Sequence, residues 1–484
     1  MVEEMSAIND RVVSATKWSV VTEIAAKLVS PITTMVLARL LTPSDFGVLV
    51  TATMVISFSE IFTDAGFQKY LIQRKFDSDK ELKDATTVAF WSNFTMSVAI
   101  WLTILLFSSQ IADFVGNPGK GNVIAISCIC IPIAAFSSIQ MALFKRKFDF
   151  KTLFFVRIIG VLIPVAVTIP LAFYTRSYWA LIAGMIAQNV ANAIILTVKS
   201  EWKPRLFYSW KIFKSMFSFS FWSMIESVSV WMTSYIDFFI VANLLNEHYL
   251  GLYRTSMTTV GQIMSLITAA TTPVLFSALS RLQDDEVEFR RLFFRFQKIV
   301  GMLVIPMGVG IFLFRDLITE ILLGNQWLET SKFIGLWGLT SSLIVVLSHY
   351  SSEVYRAKGK PKLTILSQVL YILCFVPVIL WAIKLGYDFL CEMRALVRLT
   401  SIFIDLSIIY FLCKISPLQL LDNIKSSVVA SLAMVLLYYI LPSNDDIIIQ
   451  LLYAGLCCLI YIFVIMLNKE DRIILCNLKN NIKK

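Results

Sequence analysis

The chain has 484 residues, of which 57% are hydrophobic and 16% charged, with a mean hydropathy of +0.73. Soluble globular proteins carry about 45–50% apolar and about 25% charged residues. The apolar residues of this chain fall in runs of about 18–25, a length that crosses a hydrocarbon core of about 30 Å. The composition therefore excludes a soluble protein.

The apolar runs predict about fourteen transmembrane helices. They contain no long alternating pattern, which favours helices over an outer-membrane barrel. The N-terminal segment contains acidic residues and no small-residue cleavage site, so we do not expect a signal peptide. In chain order the predicted spans are residues 17–40, 44–66, 86–109, 122–144, 152–173, 178–198, 215–242, 250–277, 297–318, 332–355, 362–383, 388–412, 426–441 and 447–468.

Positive charge is distributed unevenly between the two sides of this predicted bundle. With the N-terminus inside, the inner segments hold 32 of the 43 Lys and Arg residues and the outer loops hold eight, Arg394 among them. Because short inner loops of membrane proteins are enriched in Lys and Arg, the bias predicts that both termini are cytoplasmic. The net charge of +10 then indicates topology and contact with anionic lipids, and no nucleic-acid partner is needed to explain it.

The sequence contains an internal repeat. Residues 38–49 (ARLLTPSDFGVL) align without a gap on residues 242–253 (ANLLNEHYLGLY), at an offset of 204. Six spans per repeat is an even number, so the two repeats are parallel, and repeat interfaces of transporters hold substrate near the midplane. The predicted organisation is a cytoplasmic segment (1–16), an N-lobe of six spans (17–198), a cytoplasmic linker (199–214), a C-lobe of six spans (215–413), an extra helix pair (414–468) and a cytoplasmic tail (469–484).

No motif predicts an enzyme, a cofactor or a metal site. Residues 116–121 (GNPGKG) lack the spacing and the Ser/Thr of a phosphate loop, so we expect no nucleotide partner. The eight cysteines and two histidines have no metal-ligand spacing. The outer loops are too short for the larger domain on which a membrane glycosyltransferase usually builds its site.

Ionisable residues inside the spans are the candidate functional residues, because each is costly when it faces lipid. Glu23 and Lys27 lie one turn apart in span 1. They either form a self-neutralising pair that allows insertion, or line a cavity in which Lys27 meets a phosphate. Arg157 in span 5 either reaches the inner headgroups or lines the same cavity.

Two further pairs lie in the second half of the chain. Glu226 and Asp237 in span 7 are about three turns apart on one face and are candidates for binding a cation or proton. Arg398 and Asp405 in span 12 are two turns apart. For these two, ion pairing with a neighbouring helix and contact with the substrate are both open, with Arg398 a substrate candidate and Asp405 an ion-coupling candidate.

Several segments resemble one family: the polysaccharide exporters for O-antigen, colanic acid and teichuronic acid, within the multidrug/oligosaccharidyl-lipid/polysaccharide (MOP) flippase superfamily. The similarity is densest in residues 37–75, which include LARLLTPSDFGVLV and FTDAGFQKYLIQRK. It continues in residues 272–285 (TPVLFSALSRLQDD), 322–327 (LLGNQW) and 356–363 (RAKGKPKL).

The resemblance implies a two-lobed bundle with a central cavity that opens alternately to each side. It also implies a flippase of the bacterial inner membrane that moves an undecaprenyl-diphosphate-linked oligosaccharide to the outer leaflet, for lipopolysaccharide or another surface glycan. An ion gradient or the membrane potential would drive this transport. A polymerase and other glycan-assembly proteins are the expected partners.

Two other classes stay open. A cation-coupled drug antiporter of the same superfamily usually has twelve spans, and the extra pair counts against it. A membrane glycan polymerase or glycosyltransferase is the enzyme alternative, against which the short outer loops count.

Overall fold

The protein is a bundle of helices, seen in a computed structural model. The structure describes residues 26–473 except 28, 65, 148, 361 and 445, and it leaves out the side chains of 218–223, 226, 270, 273 and 277. Within this described part there is no strand, and thirteen helices are long and apolar enough to cross a membrane. A shorter apolar helix, Val29–Leu40, lies where the first span is predicted. The all-helical, multi-span fold is confirmed, while the count of fourteen stays a prediction because residues 1–25 lie outside the description.

The helical segments are numbered here in chain order. In the first half they are α1 (Val29–Leu40), α2 (Pro43–Asp64), α3 (Asp79–Leu106), α4 (Gly121–Arg146), α5 (Phe150–Thr175), α6 (Trp179–Lys199) and α7 (Trp210–Leu244). In the second half they are α8 (Glu247–Arg281), α9 (Glu286–Leu313), α10 (Asn325–Ala357), α11 (Lys362–Leu385), α12 (Tyr387–Cys413), α13 (Pro417–Ile440) and α14 (Ile447–Leu467).

Several helices begin earlier than hydropathy predicts. The span predicted at residues 86–109 begins at Asp79, and the one predicted at 297–318 begins at Glu286. The added turns are charged, so a hydropathy window excludes them, but they have good caps. Ser78 Oγ accepts from Glu81 N at 3.2 Å, and Asp285 Oδ1 accepts from two backbone N–H groups. Such caps satisfy the free N–H groups of the first turn, so these helices continue beyond the apolar region.

Several spans are locally irregular, α4 and α11 among them, and the irregular positions of three other spans are as follows. Residues 164–168 of α5 form a π turn that begins at Pro164, which lacks a backbone N–H. Residues 345–349 of α10 form a second π turn. In α12 the regular helix is interrupted at Arg398 and Leu399. Irregular turns inside helices are frequent at functional sites, and two of these three lie beside the side chains described below.

The chain divides into two compact units, with the division in α8 between Arg254 and Thr255. In the first unit, loops alternate between its two ends. At one end, Asp45 Oδ1 accepts from Tyr178 N at 2.8 Å, and Asn117 Nδ2 donates to Thr51 Oγ1 at 2.8 Å. This end contains the loops predicted to lie outside and is called the predicted outer end below.

The opposite end of the first unit holds the segment between α6 and α7. Trp202 of this segment is buried against Phe90, with ring centroids 5.6 Å apart. Arg205 forms an ion pair with Asp84 at 3.1 Å, and its carbonyl accepts from Trp91 Nε1 at 2.7 Å. The predicted cytoplasmic linker therefore begins as a segment fixed to the first turns of α3.

The second unit has its own core. Helices α9, α10 and α13 pack together, and α14 packs on α13 and α9. Buried side chains at this junction include Leu317, Met434, Cys457 and Tyr461. The helix pair α13–α14 is thus part of the packed core of this unit.

Candidate functional site

Hydroxyl groups from two other spans surround Asp405 of α12. Ser367 Oγ on α11 donates to Asp405 Oδ1 at 2.7 Å, and the Tyr355 hydroxyl on α10 donates to the same oxygen at 3.0 Å. Ser348 Oγ, in the π turn of α10, donates to Oδ2. Asp405 and Tyr355 are 7% and 1% exposed, so water has little access to the carboxylate.

Of the two possibilities left open for Asp405, an ion pair with a neighbouring helix is not among its contacts with the described residues. Three neutral hydroxyl groups donate hydrogen bonds to the carboxylate. A carboxylate at membrane depth is costly unless polar groups or a cation compensate for its charge. Clustered carboxylate and hydroxyl oxygens are also ligands that suit a small hard cation. The arrangement is therefore chemically suited to binding a proton or a small cation.

Arg398 lies at the interruption of α12, in contact with α10. Its guanidinium carbon lies 3.6 Å from the centroid of the Trp337 ring, and Nη1 donates to Ser341 Oγ at 2.7 Å. Cation–π contact of this kind stabilises a guanidinium away from water. The described neighbours of Arg398 on α10 thus include an aromatic ring and a hydroxyl.

Arg394 is a buried cation of α12 that is not among the candidates predicted from the sequence. The charge count places this residue with the outer loops, but the structure places it two turns inside α12, where it is 8% exposed. Its guanidinium carbon lies 4.4 Å from the Phe375 centroid and 5.0 Å from that of Trp337, and Nη1 donates to Tyr371 Oη. Arg394 precedes Arg398 by four residues, a spacing that places two side chains on the same face of a helix. This spacing is the feature of the sequence from which a buried Arg394 could have been predicted.

Asp237 of α7 is also buried, at 2% exposure. Oδ1 accepts from Phe238 N at 2.9 Å, and Oδ2 accepts from the Tyr253 hydroxyl on α8 at 3.3 Å. The side chain of Glu226 lies outside the described residues, so the predicted stripe of two carboxylates along α7 stays a prediction. Asp237 and Asp405 belong to different units.

The cationic candidates of the first unit are less fully described. Lys27 lies in a helical turn before α1 and is partly buried, while its predicted partner Glu23 is outside the described residues. Arg157 of α5 is exposed. It lies beside Val156, which packs against Phe144 and Leu196. Whether Lys27 and Arg157 line one cavity stays a prediction.

An apolar groove of about 560 Å³ runs along the second unit. Hydropathy and residue spacing do not predict such a groove. Its walls come from α9, the short helix Arg315–Leu322 and α14, and include Met302, Leu303, Pro306, Leu451, Ala454 and Ile462. Leu303, Leu451 and Ile462 are also 46–50% exposed, so the groove is open at its rim.

Pro306 and Tyr461 form one wall of the apolar groove together. Pro306 has no N–H, so the carbonyl of Met302, four residues earlier, loses its intrahelical donor. The buried Tyr461 hydroxyl donates to this carbonyl at 2.8 Å. An unpaired carbonyl is costly in a bilayer, so the proline of α9 selects the position at which α14 docks.

The fold is similar to that of solved proteins of the MOP superfamily. Over 95% of this chain and 100% of the other, it is similar to a solved structure of the lipid II flippase MurJ in its inward closed conformation, with a TM-score of 0.77 and 14% identity. The chain belongs to the Polysaccharide biosynthesis protein family, which matches residues 36–332. This agrees with the resemblance of residues 37–75 noted above.

Two relatives illustrate the family. The chain is 24% identical, over 76% of its length and 76% of the relative, to an uncharacterized membrane protein in the cps region of Klebsiella pneumoniae. It is 21% identical, over 69% of its length and 67% of the relative, to the succinoglycan biosynthesis transport protein ExoT of Rhizobium meliloti.

Proposed function

We propose that this protein is a flippase that moves a polyprenyl-diphosphate-linked oligosaccharide unit from the inner to the outer leaflet of the bacterial cytoplasmic membrane, by alternating access. Family membership supplies the context of polysaccharide biosynthesis. The apolar groove is the observation that carries the proposal.

The apolar groove suits a polyprenyl tail. A lipid-linked glycan has a long apolar tail that stays in the hydrocarbon while its polar head crosses. A volume of about 560 Å³ falls within the range of about 300–1,000 Å³ that holds small ligands, and the exposed rim allows entry from the bilayer. The occupant we propose is the part of the tail that adjoins the diphosphate.

The head group requires cations. A diphosphate carries about two negative charges, which are costly in a low-dielectric layer unless they are paired. Lys27, Arg157 and Arg398 are our candidates for substrate binding. Arg398 has the best-defined surroundings of the three, because Trp337 and Ser341 hold it at membrane depth.

We assign ion coupling to the hydroxyl-lined carboxylate, Asp405, and keep Glu23, Glu226 and Asp237 as further candidates. Three hydroxyl donors can reorient when a proton or a small cation arrives, and they come from two neighbouring helices, α10 and α11. Binding at this position would therefore alter how α10, α11 and α12 pack.

The proposed setting is the inner membrane, with both termini cytoplasmic, and the protein is proposed not to be an enzyme. The lobe boundaries 17–198 and 215–413 belong to the same proposal. The partners would be membrane lipids, the lipid-linked oligosaccharide and glycan-assembly proteins such as a polymerase.

Filling the apolar groove tests the proposal directly. Ala454 lines the groove, whereas Leu459 on the same helix is 63% exposed and does not. In a deletion strain complemented with each variant, we expect Ala454→Phe to strand lipid-linked units on the inner face, and Leu459→Phe to export glycan normally. Normal export by Ala454→Phe at a matched protein level would refute the groove as the tail site.

The same strain distinguishes the alternative classes. Deletion of a flippase leaves complete units on the inner face, whereas loss of a polymerase exports single units. Loss of a drug antiporter leaves the glycan intact and raises drug sensitivity.

A further inference from the structure

Two glycines related by the internal repeat contact each other's helices at the predicted outer end of the first unit. Gly47 of α2 and Gly251 of α8 are separated by the repeat offset of 204 residues. A Cβ atom added to Gly47 would lie 1.8 Å from the carbonyl oxygen of Glu247. One added to Gly251 would lie 1.8 Å from the carbonyl oxygen of Pro43.

The contact is reciprocal. Pro43 and Glu247 are the first residues of α2 and α8, and they too are 204 residues apart. Each glycine therefore rests on the first-turn carbonyl of the other helix. Carbon–oxygen contacts of this type are ordinarily about 3.3–3.6 Å, so neither position has room for any side chain.

The neighbouring loop closes the same end. Gly116 has a φ of +77°, and a Cβ atom there would lie 2.3 Å from the carbonyl oxygen of Ala242. Asn117, which is fully buried, donates to Thr51 Oγ1, one turn below Gly47. Backbone contacts with small residues thus seal the start of α2, the end of α7 and the start of α8 against one another.

We infer that Gly47 and Gly251 form a glycine latch, whose separation opens the predicted outer end. This inference rests on the proposed transport function. A contact between backbones brings the helices close enough to exclude solvent and a glycan. At the two glycines the helices are held by van der Waals contact between backbones, so separating them at this point breaks no strong bond.

Hydrogen exchange of the purified full-length protein tests the latch without substrate. We expect Gly47→Ala and Gly251→Ala each to speed exchange several-fold at the amides of both 47–52 and 251–256, because one methyl group displaces both helices. The matched control is Gly261→Ala on α8, where an added Cβ meets nothing within 4 Å. In the double variant, we expect the increase in exchange to be smaller than the sum of the increases in the two single variants. The reason is that the first methyl group already separates the helices.

Thr51→Val provides a second test that does not depend on the folding of the alanine variants. It removes the hydroxyl that accepts from Asn117 and adds no bulk. We expect Thr51→Val to raise the exchange rate of the same amides by less than the alanine variants do. Exchange that changes only in the substituted helix, or that rises equally in α14, would overturn the inference. If the latch behaves as expected but the deletion strain shows no flippase phenotype, the proposed function fails and the conformational inference stands.

Discussion

Hydroxyl groups and aromatic rings are among the described neighbours of Asp405 and Arg398 in α12. Asp405 accepts from a tyrosine and two serines, and Arg398 lies over Trp337. A charged group in a membrane needs compensation, and neutral hydrogen-bond donors and π faces supply part of it without a counter-ion. Such compensation leaves a carboxylate able to accept a cation.

Asp405→Asn tests this carboxylate. Asparagine keeps the shape and one acceptor oxygen but loses the charge, so we expect a normal protein level and export near background. The residual export should no longer respond to collapse of the proton or sodium gradient. The control is Asp422→Asn, where an exposed aspartate pairs with Lys425. Full export by Asp405→Asn, still sensitive to the gradient, would contradict the coupling assignment.

Lys27→Ala is expected to abolish export while the protein still inserts at its normal level, because the diphosphate loses a cation at membrane depth. Lys27→Arg should keep partial function, since charge matters more than shape. Arg157→Ala should have a weaker effect, because Arg157 is exposed near the start of α5. Glycan export at matched protein levels measures all three. Normal export by Lys27→Ala would assign Lys27 to an insertion pair with Glu23.

At the level of helices, the irregular positions decide where neighbouring helices dock. Pro306 releases the carbonyl of Met302, and the hydroxyl of Tyr461 binds it. The π turn of α10 carries Ser348 to the carboxylate of α12. In α9 the irregularity frees a carbonyl that a second helix binds, and in α10 it lies where a hydroxyl bonds to a second helix.

Tyr461→Phe should lower the free energy of unfolding by about 1–3 kcal/mol, the cost of leaving a buried acceptor unpaired. Thermal unfolding of the purified protein in detergent measures this as a lower midpoint. Tyr453→Phe is the control, because Tyr453 is on the same helix and packs in the same core without a described hydrogen bond. Equal midpoints for the two variants would show that the Met302 carbonyl finds another donor.

For the whole molecule, the alternation of loops agrees with the charge bias. In the first unit, loops predicted to be outside contact one another, as do those predicted to be inside. In the second unit, Lys358 Nζ on one predicted inner loop donates to the carbonyl of Gln283 on another at 2.7 Å. Loops that alternate between two ends are what a chain that crosses the membrane repeatedly requires.

Cysteine labelling in intact cells tests the orientation. An impermeant thiol reagent should label Pro118→Cys, Ser177→Cys and Asn444→Cys, and should miss Ser78→Cys, Asp149→Cys and Gly359→Cys. Pro118 is preferred to Asn117 because Asn117 is fully buried. Labelling of position 149 from outside would reverse the predicted topology.

Hydropathy, charge bias and an ungapped repeat determine the class of this protein from its sequence alone, because a bilayer imposes one strong and local rule: each span must be apolar and helical. The repeat even predicts which glycines are equivalent. Tertiary structure alone decides what those residues meet. That Gly47 rests on Glu247, that Asp405 meets hydroxyls, and that Pro306 with Tyr461 shapes a groove all depend on the packing of helices far apart in sequence. Periodicity within one helix carries no information about which neighbour its face will meet.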